Sequence, residues 1–184
     1  KREKSTENLL ADTNWTRNKR YPSMDIVVHS NDKYNFTVNM FSPRTTPYEA
    51  TNGQDMLGWY QGLGAMYLYT ADNTYFDDGY QETIDPYRLP GITVDTLNMT
   101  NKRWHGEKRN THDFVGGASV DNYGVEAMEL SQTDTDLYGK KSWFLFDDEI
   151  VFLGSDIKAN SGRPIETVVD NRKIGNDNSN RLVI

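Results

Sequence analysis

The sequence predicts an all-β chain, a large antiparallel β-sandwich. Short runs of alternating or continuous apolar residues are separated by polar or glycine-rich turns, which is the signature of strands rather than helices. No segment shows convincing amphipathic helical periodicity beyond one possible turn at Ser5 to Leu10. Aromatic residues make up 12% of the 184 residues, too many for a disordered chain and well suited to packed strand faces.

The elements follow in order. Residues 1–22 are polar and read as linker, with Trp15 as their one anchor. Residues 23–184 read as one β domain. Ser23 to His29 and Tyr34 to Met40 form a hairpin candidate around the polar turn Ser30-Asn31-Asp32-Lys33. Phe36, Val38 and Met40 alternate with Asn35, Thr37 and Asn39, the period of a half-buried antiparallel strand.

A long glycine-punctuated stretch runs from Tyr48 to Tyr69. It opens on Glu49 and Asn52, passes Gly53, Gly58, Gly62 and Gly64, and enters a strand at Ala65-Met66-Tyr67-Leu68-Tyr69. Glycines in such numbers let a backbone turn tightly or approach a ligand closely. Trp59 and Tyr60 add flat apolar faces with polar edges, the chemistry of a polysaccharide groove. A plain strand connection with its aromatics in the core is the other reading of the same residues.

Beyond it, Asp85-Pro86-Tyr87-Arg88-Leu89-Pro90-Gly91 is fixed by its prolines in an extended, donor-poor path. Leu97 to Asn110 holds the one basic concentration, Lys102, Arg103, His105, Lys108 and Arg109 around Trp104. Phe114 to Gly117 leads into a strand, and Tyr123 to Leu130 is another. Lys141 to Gly154 holds two apolar runs joined by Asp147-Asp148, a hairpin expected to be buried on both faces. Glu166 to Asp170 and Arg181 to Ile184 are the last strands, about nine in all. Both ends read as cuts in a longer parent, with the domain truncated at its C-terminal end.

Composition narrows function. A net charge of −7 and a pI near 4.9 argue against nucleic acid, which needs a basic surface. No run approaches the ~18 apolar residues of a membrane helix, so no membrane partner is expected. The absence of cysteine removes disulfides, thiolate metal sites and a cysteine nucleophile together. The three histidines, His29, His105 and His112, lack the spacing of a metal site; no metal and no cofactor are expected. Neither a serine-nucleophile elbow nor a phosphate loop is present.

The 27 acidic residues guarantee that carboxylate pairs can be found, so the count alone says nothing of glycoside hydrolysis. Glu49 and Asn52 are more specific. An acid three residues from an amide at the mouth of a glycine-rich loop can orient an arginine or hold a sugar hydroxyl. The alternative is a turn-capping Asn beside an exposed Glu.

Taken jointly, Tyr48 to Asp55 with Gly58-Trp59, Gly64 to Tyr69, Asp85 to Asp95 and Lys141 to Gly154 resemble the central β-domain of polysaccharide lyase family 8. This is the family of hyaluronate, chondroitin AC and xanthan lyases. Met24-Asp25, Ser42-Pro43-Arg44, Phe114 to Gly117, Glu166-Thr167 and Asn171-Arg172 agree too, in the family's order over residues 22 to 174. The resemblance implies a supersandwich of the galactose mutarotase-like type within a secreted, extracellular bacterial enzyme that cuts acidic polysaccharide by β-elimination. It implies an α/α toroid before this domain, joined through residues 1–22, that carries the catalytic Asn, His, Tyr and Arg. The fragment alone is then expected to be inactive. The resemblance gives Glu49 a supporting catalytic role beside the Tyr and Arg, and Asn52 a contact with substrate. Trp59 and Arg88 are further substrate-binding candidates, on aromatic and charge grounds. The family's usual Asn-Gly-Glu-Asn reads Asn52-Gly53-Gln54-Asp55 here, which leaves the last two positions without a family role. The runner-up function is a non-catalytic carbohydrate-binding or scaffold module.

Overall fold

The computed structural model describes residues 16–72, 76, 79–99 and 110–174. In chain order the strands are β1 (Arg17–Tyr21), β2 (Ile26–Ser30), β3 (Asn35–Asn39) and β4 (Ala65–Tyr69), followed by a four-residue helix α1 (Tyr80–Thr83). Then come β5 (Thr93–Asp95), β6 (Val115–Val120), β7 (Tyr123–Ser131), β8 (Tyr138–Leu145), β9 (Ile150–Lys158) and β10 (Ile165–Thr167). Two four-stranded sheets, ordered β1-β2-β3-β4 and β6-β7-β8-β9, and a two-stranded ribbon of β5 and β10 hold all of them. Every pairing is antiparallel. The all-β sandwich expected from the sequence is the fold observed.

Alternation decides which face is core. Val27, Phe36 and Val38 of the first sheet pack against Met128, Leu130, Trp143 and Leu145 of the second. All seven are at most 2% exposed, and such burial is the dominant favourable contribution to the fold. Polar groups tie the layers where apolar contact ends. Asn110 donates from Nδ2 to the Phe41 carbonyl at 3.0 Å and to the Glu129 carbonyl at 2.8 Å. His29 lies inside, its Nε2 3.0 Å from the Phe146 carbonyl, and burial pushes its pKa down, as it does for any desolvated imidazole.

Two expectations change here. Arg17–Tyr21, read as linker, is strand β1, paired along its length with β2. Its composition concealed it: Arg17, Lys19 and Tyr21 face outward, and the inward positions are filled by Asn18 and by Arg20, paired with Glu126 of β7, rather than by apolar residues. Trp15 and the helical turn at Ser5 to Leu10 lie outside the described residues, as do Lys102 to Arg109 and the strand expected at Arg181 to Ile184.

The Lys141 to Gly154 hairpin exists as β8 and β9 but is not buried on both faces. In β8 burial alternates, with Lys141, Trp143 and Leu145 inside. In β9, Val151, Phe152, Leu153 and Ile157 stay 37–54% exposed. A continuous apolar run encodes the wish for cover on both sides; among the described residues β9 is an edge strand and that cover is absent.

Candidate functional site

The glycine-rich stretch is the connection from β3 to β4, and it is built as an anchored loop. Its feet are buried: Tyr48 is 8% exposed and Tyr60 1%. Gly62 donates its amide to the Pro47 carbonyl at 3.0 Å, drawing the two limbs together. A Cβ at Gly62 would lie 2.9 Å from Pro47 Cα and 3.0 Å from Phe41 Cβ, so only glycine permits this approach.

Between the feet, Glu49, Asn52 to Asp55 and Leu57 are exposed. Glu49 is on the surface, and Thr51–Gly53 forms a short 3-10 segment kinked at Asn52. Asn52 sits there in the left-handed region, at φ 57 and ψ 21, a conformation that Asn tolerates better than most side-chain-bearing residues. Its exposed side chain therefore stands at the loop's crest, and that of Glu49 is exposed on the limb that leads to it. Asp55, where the family pattern departs, is also left-handed at φ 49. Its carbonyl accepts from the Gly58 amide at 3.2 Å, and its Oδ1 accepts from Gln61 Nε2 at 3.3 Å. Partial burial pushes the Asp55 carboxyl up, with the Gln61 bond opposing. Asp55 thus works as a turn residue.

Trp59 is not the open sugar platform expected from sequence. It is 4% exposed, its ring 5.1 Å from that of Tyr87 and 6.3 Å from that of Tyr60. The aromatic content is core because the glycines fold the loop back over the sheet. Tyr60 continues inward, accepting from Gln132 Nε2 at 3.2 Å and donating to the Leu97 carbonyl at 3.4 Å. Gln132 also accepts from the Asp95 amide at 2.6 Å and donates to the Asp95 carbonyl at 3.0 Å. This network of Tyr87, Gln132 and Asp95 holds the loop, and sequence reading missed it. Its one legible trace was the proline-bounded turn that presents Tyr87.

Arg88 is exposed but occupied. Its guanidinium bonds Asp85 Oδ2 at 2.8 Å and Glu166 at 3.0 and 3.2 Å, and these partners raise its pKa further. The forked contact with Glu166 matches guanidinium and carboxylate geometry and ties the Asp85 turn to β10. A substrate carboxylate at Arg88 would have to compete with two protein carboxylates. The Trp59–Tyr87 contact joins the loop that carries Glu49, Asn52 and Trp59 to the turn of Arg88, so all four candidates lie on two segments that meet at one aromatic pair.

Residues 16–183 match the model of the polysaccharide lyase family 8 super-sandwich domain. The chain belongs to polysaccharide lyase family 8. Within this family it is 42% identical over 156 residues to a family 8 protein of Enterococcus faecalis, covering 84% of this chain and 11% of that one. To the xanthan lyase of a Bacillus species it is 40% identical over 162 residues, covering 88% and 17%. Among solved family 8 structures, that of Paenibacillus xanthan lyase superposes with a TM-score of 0.80 at 37% identity, covering 92% of this chain and 17% of that one. The chondroitin AC lyase of Streptomyces coelicolor, solved with chondroitin sulphate, gives 0.82 at 34% identity, covering 88% and 22%. The family 8 segment described here thus spans about a fifth or less of these relatives.

Proposed function

We propose that this domain forms one wall of the substrate cleft of a family 8 lyase acting on acidic polysaccharide of the hyaluronan, chondroitin or xanthan type. The observation that carries the reading is the loop crest, where Asn52 is exposed on a turn, with Glu49 exposed on the limb that leads to it and the feet of the loop buried in the core. A rigid support under an exposed acid and amide is what positioning chemistry requires.

The reaction is a β-elimination. A base removes the proton on C5 of a uronic residue, and the electron pair forms the C4–C5 double bond. The bond from C4 to the bridging oxygen breaks, and that oxygen takes up a proton. The barrier lies in the weak acidity of C5–H, so charge developing on the uronate must be neutralised. We assign the base, acid and neutralising groups to an Asn, His, Tyr and Arg on an α/α toroid of the parent chain. Glu49 then orients the arginine, and the Asn52 amide bonds a sugar hydroxyl or carboxylate. The reading carries secretion with it, since such polymers are met outside the cell.

The test uses the full-length parent on hyaluronan, chondroitin sulphate and xanthan, following the ultraviolet absorbance of the unsaturated uronic product. Absorbance should rise on at least one polymer and fall on the order of 10²-fold in Glu49→Ala and Asn52→Ala. Polymer binding with no rise on any substrate would instead favour a non-catalytic carbohydrate-binding or scaffold module.

A further inference from the structure

The outer face of the first sheet takes no part in the cleft just described. On β1, Asn18 and Arg20 turn into the sandwich, where Arg20 meets Glu126, so Arg17, Lys19 and Tyr21 turn out. The register carries that face across the sheet: Lys19 lies beside Val28, Val28 beside Thr37 and Thr37 beside Tyr67. The flanking rows run from Arg17 to Tyr69, through Asn35, and from Tyr21 to Ala65, through Asn39.

Three properties of this face coincide. Its three rows contain no Asp or Glu, although the chain carries 27 acids and a net charge of −7. Two cations stand at one edge, with Lys19 Nζ held 5.3 Å over the Tyr21 ring and in no ion pair among the described residues. Aromatic rings lie open at both edges, Tyr21 36% and Tyr69 39% exposed, the Tyr69 ring 4.5 Å from that of Phe76. Asp55 approaches at the β4 edge, beside Tyr67. Four strands at ~4.8 Å spacing put ~14 Å between the cations and Tyr69, room for a short run of sugar rings.

We propose that this face is a secondary binding surface for an acidic polysaccharide. Lys19 and Arg17 meet its carboxylate or sulphate groups, Asn35 and Asn39 its hydroxyls, and Tyr21 and Tyr69 the C–H faces of its rings. The face and the loop of Glu49 belong to one sheet, because that loop leaves it after Asn39 and returns at Ala65. A polymer gripped at the crest can lie along it, and a second contact of this kind raises the effective concentration of chain at the cleft. The ligand class rests on the lyase reading above.

The test compares the full-length parent with Arg17→Glu/Lys19→Glu, Tyr69→Ala and Lys19→Arg. Retention by hyaluronan, chondroitin sulphate or xanthan in affinity gels is measured at low and physiological salt, and cleavage of long polymer is compared with that of a short oligosaccharide. Retention and long-polymer KM should weaken about tenfold in the charge reversal, most at low salt. Tyr69→Ala should weaken them at both salts, and Lys19→Arg should leave them intact. Oligosaccharide cleavage should be unchanged in all three, which also reports correct folding. Retention unaltered in both the charge reversal and Tyr69→Ala overturns the proposal. So does a parallel loss of polymer and oligosaccharide cleavage, which would mean that the face packs against another part of the parent. If the parent cleaves nothing but charge reversal still lowers retention, the lyase reading fails and the surface stands.

Discussion

Arg20 of β1 holds Glu126 of β7 with Nε and Nη2 at 3.0 and 2.9 Å from Oε1, and Nη2 at 2.8 Å from Oε2. The pair joins the edge of one sheet to the interior of the other, 106 positions apart in sequence. Glu126 is 1% exposed, and burial pushes its carboxyl up while Arg20 pulls it back. A buried carboxylate stripped of its partner is costly, whereas an apolar pair in its place is nearly neutral. Arg20→Met should therefore destabilise by roughly 3 kcal/mol, and Arg20→Met/Glu126→Leu should recover most of that loss. Urea midpoints of the two variants check this. Equal loss in both would show that packing by the Arg20 stem, rather than charge, is what matters.

This pair also marks where sequence stopped being informative. β2, β3 and β7 were legible because their apolar residues alternate, and β8 and β9 because their apolar runs are long. β1 was not, because its inward residues are an amide, Asn18, and a cation, Arg20, whose reason for being inside lies on a strand 106 positions away. Trp59 failed differently: aromatic content was readable, but whether a glycine-rich loop folds its ring inward depends on Tyr87 and Gln132, which no local pattern connects to it. Glu49 and Asn52 were readable as a pair, and what the structure adds is the crest that exposes them.

Trp59 offers the second prediction. Its Nε1 is buried without an acceptor among the described residues. Trp59→Phe removes an unsatisfied donor and keeps a ring against Tyr87, so stability should change by less than about 1 kcal/mol. Trp59→Ala opens a cavity and should cost roughly 3–5 kcal/mol. Thermal or urea unfolding distinguishes this from a surface platform, at which Trp→Ala would leave stability unchanged and reduce polysaccharide binding.

Lys141 should give the fold a pH dependence. Its Nζ is buried beside the Trp143 ring, 5.7 Å from the centroid, and donates to the Gly91 carbonyl. Burial pushes its pKa down to about 7, against about 10.4 in an unfolded chain. Between those values the unfolded state holds more protons, so stability rises with pH across the window and the full penalty of the buried ammonium applies below it. Lys141→Met should flatten this slope, which is at most about 1.4 kcal/mol per pH unit. It should stabilise most on the acid side. Urea midpoints taken from about pH 6 to 9 test it; parallel curves for the two proteins would show that Lys141 does not titrate there.

Gly64 is the hinge by which the loop re-enters β4. Its φ is +87, and a Cβ there would lie 2.9 Å from Trp143 Cζ2, a fully buried ring in the opposite sheet. Left-handed strain and overpacking act together, so Gly64→Ala should destabilise by about 1–3 kcal/mol. Denaturation of Gly64→Ala beside Gly53→Ala separates the two causes. Gly53 is also left-handed, at φ +78, but a Cβ there meets nothing within 4 Å, so its loss should report strain alone and be the smaller.

Asn52 permits a separation of backbone from side chain. At φ 57 it occupies a conformation that glycine adopts freely and alanine adopts at a cost of roughly 1 kcal/mol. Asn52→Gly therefore keeps the crest and deletes the amide, while Asn52→Ala deletes the amide and strains the turn. If the amide bonds substrate in the transition state, both variants of the parent enzyme lose activity together, on the order of 10²-fold in kcat/KM. If Asn52 serves only to shape the turn, Asn52→Gly keeps its activity and Asn52→Ala alone declines. The same reasoning fixes the reading of Glu49, whose side chain stands on the limb that leads into this turn. With the crest intact in Asn52→Gly, any further loss in Glu49→Gln/Asn52→Gly belongs to the carboxylate and not to a displaced loop.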